Sequence, residues 1–391
     1  MSPDMRFLNT MPVISGLVVA LCIFAQLTSP ARSADWYLEP PSLPPVAFSY
    51  PAPNLPAHLK PLAQIDTQPA SNPVTDAGAT LGRVLFFDRH LSANDLVSCG
   101  SCHAQSMAFD DPTQRSIGLR GKLTRRAAMM LANNRYNPGG HQFRDSRADT
   151  LEEQVLMPFF DPIEMDLAPG QLVSRVEERQ WYAALFEAAF GDGEISEERI
   201  ARSLAQFVRS MVALDTRYDA ERAKVANALE PFEGFTAQEN RGKALFFNSK
   251  AQGGLGCALC HSGEGFVLRE PTSNGLLPQG SPADRGVGEI TGREVDMWRF
   301  RTTSLRNITT SPPYMHDGRF ATLEQVLGHY DKGITAQSKP DELLLDETGN
   351  PQRLNLSQQD RAAVIAFLFT LTDHGFLADQ RFSDPFLATA Q

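Results

Sequence analysis

After residue 27 this chain has no apolar run of about 18 residues, the length a membrane span needs. It has no excess of basic charge either. Its 36 Lys and Arg stand against 46 Asp and Glu, a formal net charge of −10 at pH 7. That balance argues against nucleic acid and anionic membrane as partners, and it permits a basic redox partner. No series of alternating apolar and polar residues marks strands, so a sheet-based architecture finds no support. Cysteine is scarce, with five in 391 residues. Four of the five fall in one repeated pattern.

That pattern is Cys-x-x-Cys-His, present as Cys99-Gly100-Ser101-Cys102-His103 and as Cys257-Ala258-Leu259-Cys260-His261. Two thiols three residues apart can form thioethers with the two vinyl groups of a haem, and the next histidine then reaches the iron. A pair of redox dithiols or a zinc site fits less well. Zinc wants four ligands at related spacing, and each cluster offers two thiolates and one adjacent histidine. The motifs predict a dihaem c-type cytochrome with two covalently bound haem c groups and His103 and His261 as proximal ligands.

The fifth cysteine, Cys22, lies in an apolar stretch from about Met11 to Leu27, preceded by Arg6 and followed by Ala31-Arg32-Ser33-Ala34. Residues 1–34 read as a secretory signal peptide. A retained N-terminal anchor is the alternative. A lipoprotein signal fits poorly, because Val19-Ala20-Leu21 lacks the small residue wanted before the cysteine. The mature protein is expected in the periplasm, not as an integral membrane protein, and covalent haem attachment suits that compartment.

Residues 35–75 are rich in proline and poor in periodicity, and read as an extended arm lying on the surface or partly disordered. Internal similarity then divides the rest into 76–230 and 231–391. Leu81-Gly82-Arg83-Val84-Leu85-Phe86-Phe87 precedes the first haem motif, and Arg241-Gly242-Lys243-Ala244-Leu245-Phe246-Phe247 precedes the second. Residues 144–153 align without gaps on 316–325. Both stretches carry a capping box, Thr150 to Glu153 and Thr322 to Gln325, so both start a helix at the same place. Helices also follow Ser196 and Ser357, where apolar residues recur at helical spacing. The fold class is mainly α: two cytochrome c-like haem domains related by internal duplication, with long loops and little or no sheet. The segment 265–300, dense in Gly, Pro and charge, reads as a long loop bordering a haem crevice.

The two irons should differ. Continuing the gapless alignment, Pro158 of the first half falls opposite Tyr330 of the second. A phenolate can ligate ferric haem iron, and proline cannot. The first haem is therefore the candidate open site and the second the candidate six-coordinate site. The alternative is a core tyrosine with a hydrogen-bonded hydroxyl. An open haem that splits peroxide also needs a proton shuttle and a donor near the leaving oxygen. Gln154 and Glu164 lie just beyond the first repeat, and by composition alone they are ordinary helix-surface and loop residues.

Two CxxCH motifs, Leu151-Glu152-Glu153-Gln154 with Pro158 and Glu164-Met165, and Pro313-Tyr314-Met315-His316-Asp317-Gly318 together resemble the bacterial dihaem cytochrome c peroxidase and MauG family across residues 78–375. The resemblance implies a peroxidatic N-terminal haem with Glu164 as distal acid/base and Gln154 beside it, and an electron-transfer C-terminal haem. It places the sixth ligand of the second haem fourteen residues after His316, at Tyr330, which is methionine in the peroxidases and tyrosine in MauG. The peroxidases also carry a capping histidine after Ser-Ile-Gly. This chain has Leu119 there, so the first haem should be open without reductive activation.

Two departures stand out. The family's inter-haem tryptophan is Arg144 here. The family's calcium site would draw carbonyls from Ser311 and Pro313, but its asparagine is Ala127, so calcium is only a possible cofactor. The resemblance implies a dihaem peroxidase or peroxide-dependent oxidase. Its partners would be hydrogen peroxide and either a small cytochrome c or cupredoxin or an oxidisable partner protein, as in a MauG-type oxidase. A dihaem electron carrier without catalysis is the other reading.

Overall fold

The computed structural model describes residues 39–51, 54–280 and 283–387. The predicted signal peptide, with Cys22, lies outside them. Among the described residues there is no strand, only isolated bridges such as Gln142 with Ala148 and Tyr314 with Phe320.

Each half is built on a crossed pair of helices. In the first, Asp76–Phe87 packs against Glu197–Ser210. In the second, Ala237–Phe247 packs against Gln358–Phe369. Side-chain caps start all four: Thr75 accepts from Gly78 N, Ser196 from Arg199 N, Thr236 from Glu239 N and Ser357 from Asp360 N. Each cap contributes about 1 kcal/mol by satisfying an orphan amide. The apolar stripes read from the sequence face inward. Ile200, Leu204, Phe207, Val208 and Met211 are buried in the first half, and Ala363, Val364, Phe367, Leu368 and Leu371 in the second.

The two crossings use the same device. A Cβ on Gly82 would lie 2.0 Å from the Ser203 carbonyl oxygen, and one on Gly242 would lie 1.8 Å from that of Ala363. Only glycine lets the backbones approach that closely. The helices carry Phe86, Phe87, Phe246 and Phe247 at their ends. Phe86 packs edge-on against Phe207 at 5.4 Å, and Phe246 lies 5.2 Å from Phe367. These rings form the floor on which each haem motif rests.

Two arginine–carboxylate pairs tie distant segments together, the second across the boundary at residue 230. Arg209 donates to both oxygens of Glu152, at 2.5 and 2.8 Å. Fully buried Arg306 donates to both oxygens of Asp219, at 2.8 Å each. Removing one partner of such a pair typically costs about 3–5 kcal/mol, because the other charge is stranded.

The proline-rich arm is more ordered than its composition predicts. Residues Ala57–Ile65 form a 3-10 helix that buries Leu59 and Leu62. Buried Tyr50 donates to the carbonyl of Arg381 at 3.0 Å, and the Arg381 side chain donates back to the Ser49 carbonyl at 3.1 Å. The arm is thus fastened near the C-terminal segment by side chains that its proline pattern does not advertise.

Candidate haem sites

The first motif forms the helical turn Cys99–Cys102, with His103 at its C-cap. His103 Nδ1 donates to the Phe109 carbonyl at 2.8 Å, which fixes the tautomer and leaves Nε2 free for a metal. In the second motif, His261 Nδ1 donates to the Phe266 carbonyl at 3.3 Å. Burial holds the His261 imidazole down at about 4 and therefore neutral, as a ligand must be. The four cysteines are free of disulfides. Burial pushes the Cys99 and Cys257 thiols each up to about 12. Two neutral thiols and an oriented imidazole in each half fit covalent haem c.

The second motif opens into a cavity of about 230 Å³. Its wall includes Cys257, Cys260 and His261 on one side, and Asn274, Met315 and Tyr330. The segment 265–300 borders it through Thr272, Ser273, Asn274 and Phe300, as its composition implied. The helix Leu323–Gly328 starts at the Thr322 capping box and passes into a π-helical turn, His329–Gly333. Tyr330 sits on that turn. The wider turn re-aims a side chain that regular α geometry would point elsewhere, and such turns concentrate at functional sites. The Asn274 carbonyl accepts from His329 Nε2 at 2.8 Å, and the Asn274 side chain lies close enough to the Tyr330 phenol to lower its proton affinity slightly. Burial, then the nearby Cys260 and Cys257 thiols, raises the phenol far above its ordinary value. A phenol so placed ionises only beside a cation, in the way a metal deprotonates a coordinating thiol. The Met315 sulfur accepts from Asn274 Nδ2 at 3.3 Å.

The first half differs at the same place. Thr150 caps the short helix Leu151–Gln154, which breaks before Met157–Phe160, with Pro158 in the first turn of the second piece. The chain then turns on Asp161, whose Oδ1 accepts from Ile163 N at 2.7 Å. That turn places half-buried Glu164 where its charge acts on both the Cys99 and the Cys102 thiols. Burial, reinforced by the Asp161 charge and opposed by Arg147, pushes the Glu164 carboxyl up to about 7. Gln154 ends the preceding helix. Its side chain makes no hydrogen bond to Glu164 or the first motif among the described residues. Leu119 lies beside this turn, its backbone N–H donating to the Ile163 carbonyl at 2.8 Å. His141 is exposed, and its Nδ1 lies 3.1 Å from an Asp149 carboxylate oxygen.

Between the halves stands Arg144. Its Nε and Nη2 donate to the carbonyls of Ala127 and Ala128, at 3.3 and 2.8 Å. The Ala127 position is thus served by a guanidinium. Ser311 and Pro313 line the second cavity together with Arg144, and the nearby Ser311 side chain lowers the proton affinity of the Asp110 carboxyl. Asp110, Asn274 and Arg301 went unremarked in the sequence. No motif marks them, because each acts through a neighbour distant in the chain.

A family model for di-haem cytochrome c peroxidase matches residues 76–227. The methylamine utilization protein MauG of Methylorubrum extorquens is 34% identical over 313 residues, covering 78% of this chain and 80% of that protein. The chain belongs to the dihaem cytochrome c peroxidase and MauG family. Another relative in that family is the cytochrome c551 peroxidase of Nitrosomonas europaea, 31% identical over 298 residues, covering 75% of this chain and 79% of that one. A solved MauG-like protein associated with microbial copper homeostasis superposes with a TM-score of 0.72 at 33% identity, covering 86% of this chain and all of that one. The dihaem peroxidase BthA of Burkholderia thailandensis shares the fold, with a TM-score of 0.65 at 24% identity. A member of this family is an oxidoreductase carrying two covalently bound c-type haems, of peroxidase or MauG type. Among the described residues no helix is long and apolar enough to cross a membrane.

Proposed function

We propose that this chain is a periplasmic, peroxide-dependent dihaem oxidoreductase whose N-terminal haem site reacts with hydrogen peroxide and whose C-terminal site relays or stores oxidising equivalents. The observation that carries this reading is the asymmetry of the two sites. A carboxyl poised near neutrality faces Cys99 and Cys102, and a phenol faces Cys257 and Cys260.

Cys99, Cys102 and His103 would hold one haem, and Cys257, Cys260, His261 and Tyr330 the other; bound there, the haems would supply the redox chemistry, the first giving electrons to peroxide. Glu164 as carboxylate takes the proton from one peroxide oxygen and, as carboxylic acid, returns it to the departing oxygen. A group with its proton affinity near the working pH does both steps well. Leu119 and Pro158 offer no ligating atom, so neither caps this site. In the family pattern Gln154 lies beside the acid/base, where it would orient peroxide.

Two classes of reductant fit. A small cytochrome c or cupredoxin makes the chain a peroxidase, and an oxidisable side chain of a partner protein makes it a MauG-type oxidase. Tyr330 favours the second, because an anionic oxygen ligand stabilises oxidised iron and disfavours simple electron uptake. Arg144 counts against it, since a guanidinium offers no oxidisable ring between the sites. The test is to add peroxide to the ferric holoprotein and ask which donor restores the starting spectrum. Reaction with peroxide at one high-spin haem supports the proposal. Two low-spin haems inert to peroxide would leave an electron carrier.

A further inference from the structure

Two guanidiniums stand in the wall of the second-haem cavity without a carboxylate partner. Arg144 comes from the first half and Arg301 from the second, and both line the cavity. They are neighbours, since the Arg301 backbone N–H donates to the Arg144 carbonyl at 2.8 Å. The Arg144 side chain donates only to the carbonyls of Ala127 and Ala128. Arg301 Nε is buried and makes no hydrogen bond. Neither residue forms an ion pair among the described residues, although most arginines of the chain do. Both side chains are half-buried, and burial with the Arg144 charge pulls the Arg301 guanidinium down to about 10.

Such a pair is unfavourable unless an anion joins it. Two carboxyls act on Arg144, and both are incomplete answers: burial pushes Asp110 up to about 7 and leaves it partly neutral, and Asp317 is already paired with Arg319 at 2.5 Å. A buried charge is tolerated when it is paired and hydrogen-bonded. Guanidinium is the side chain best suited to binding a carboxylate through two parallel hydrogen bonds.

We infer that Arg144 and Arg301 form a propionate-binding subsite that receives the paired carboxylates of the C-terminal haem. The inference deepens the proposed function by assigning the polar edge of that haem, and it rests on the placement of that haem against His261. One guanidinium comes from each half, so haem insertion would complete a bridge between them. Arg144 then acts as a positioning residue with a second consequence. Its positive charge, beside Arg301, raises the tendency of the second iron to accept an electron and so opposes the effect of Tyr330.

The test uses the full holoprotein and its Arg301→Gln, Arg144→Gln and Arg301→Lys variants. Midpoint potentials of the two haems and resonance Raman propionate bending bands are measured. Each glutamine variant should lower the potential of the second haem and shift its propionate bands, leaving the first haem as in the parent. Arg301→Lys should restore most of the potential. Parent potentials and parent bands in both glutamine variants would overturn the assignment, as would shifts confined to the first haem. Should Arg301→Gln fail to retain the second haem, the lysine variant decides: retention supports the subsite, and loss there too overturns it. These outcomes are independent of peroxide chemistry. Absence of a peroxide reaction with shifted propionate bands would remove the proposed function and leave the subsite standing.

Discussion

The two halves begin their haem-facing segments alike and end them differently. Thr150 and Thr322 cap short helices at matching positions. In the first half the helix stops after Gln154, and Pro158 opens a second short piece before the turn that delivers Glu164. In the second the helix continues into a π turn that delivers Tyr330. One broken helix thus supplies a candidate proton-transfer group, and one continued helix supplies a candidate ligand. A shared scaffold is specialised by the residues beyond the cap. The crossed helices beneath, with Gly82 and Gly242 at their contacts, serve both sites in the same way.

The comparison breaks most sharply at Glu164. Glu164→Gln should slow the reaction of the ferric protein with peroxide by about 10²–10⁴, the usual range for a general acid–base group. Both haems should remain attached. Stopped-flow absorbance against peroxide concentration measures it, and a parent-like rate would remove Glu164 from the mechanism.

At the other site, Tyr330→Phe should produce a second high-spin haem in the ferric protein, and Tyr330→Met should raise the potential of that haem. If Tyr330 is only a core residue, Phe costs a hydrogen bond, about 0.5–1.5 kcal/mol, with no change at iron. Electron paramagnetic resonance separates these outcomes, and an unaltered spin state would make the two sites more alike than proposed.

The pH dependence adds to the contrast between the sites. The Glu164 carboxyl is pushed up to about 7, chiefly by burial. Its basic form is therefore lost as pH falls through that value, and the peroxide rate should drop about tenfold per pH unit below it. Glu164→Gln should flatten the profile. A parent profile that stays level from pH 8 to about 5 would assign the proton transfer elsewhere.

The smallest expected effect lies between the halves. Arg144→Trp exchanges a half-buried cation for an oxidisable ring, and it should strengthen the near-infrared band of charge shared between the haems after peroxide addition. The parent band should be weak or absent. A strong band in the parent would mean that another route couples the irons.

Much of this molecule is legible in its primary structure because the signals are local. A thioether pair needs two cysteines at fixed spacing, so Cys99, Cys102, Cys257 and Cys260 announce the haems without a fold. A capping threonine bonds an amide three residues away, and an amphipathic stripe repeats every turn, so the helices after Thr150, Ser196, Thr322 and Ser357 could be read directly. The proline-rich arm was harder to read. Proline count records the lack of regular hydrogen bonds, whereas Tyr50, Leu59 and Leu62 are held by contacts with distant segments.

Desolvation, and partners far apart in the chain, set the rest. Glu164 is an ordinary loop glutamate until burial and Asp161 raise its proton affinity. Tyr330 is one position in an amphipathic pattern until a π turn aims it at the second motif. Arg144 and Arg301 are 157 positions apart, and nothing in their spacing says that they share a wall; the hydrogen bond between their backbones does. Covalent chemistry and helix starts depend on neighbours a few residues away, so they are written in the primary structure alone. Proton affinities and charge pairing depend on which groups lose water together, and only the packed fold brings those groups into one place.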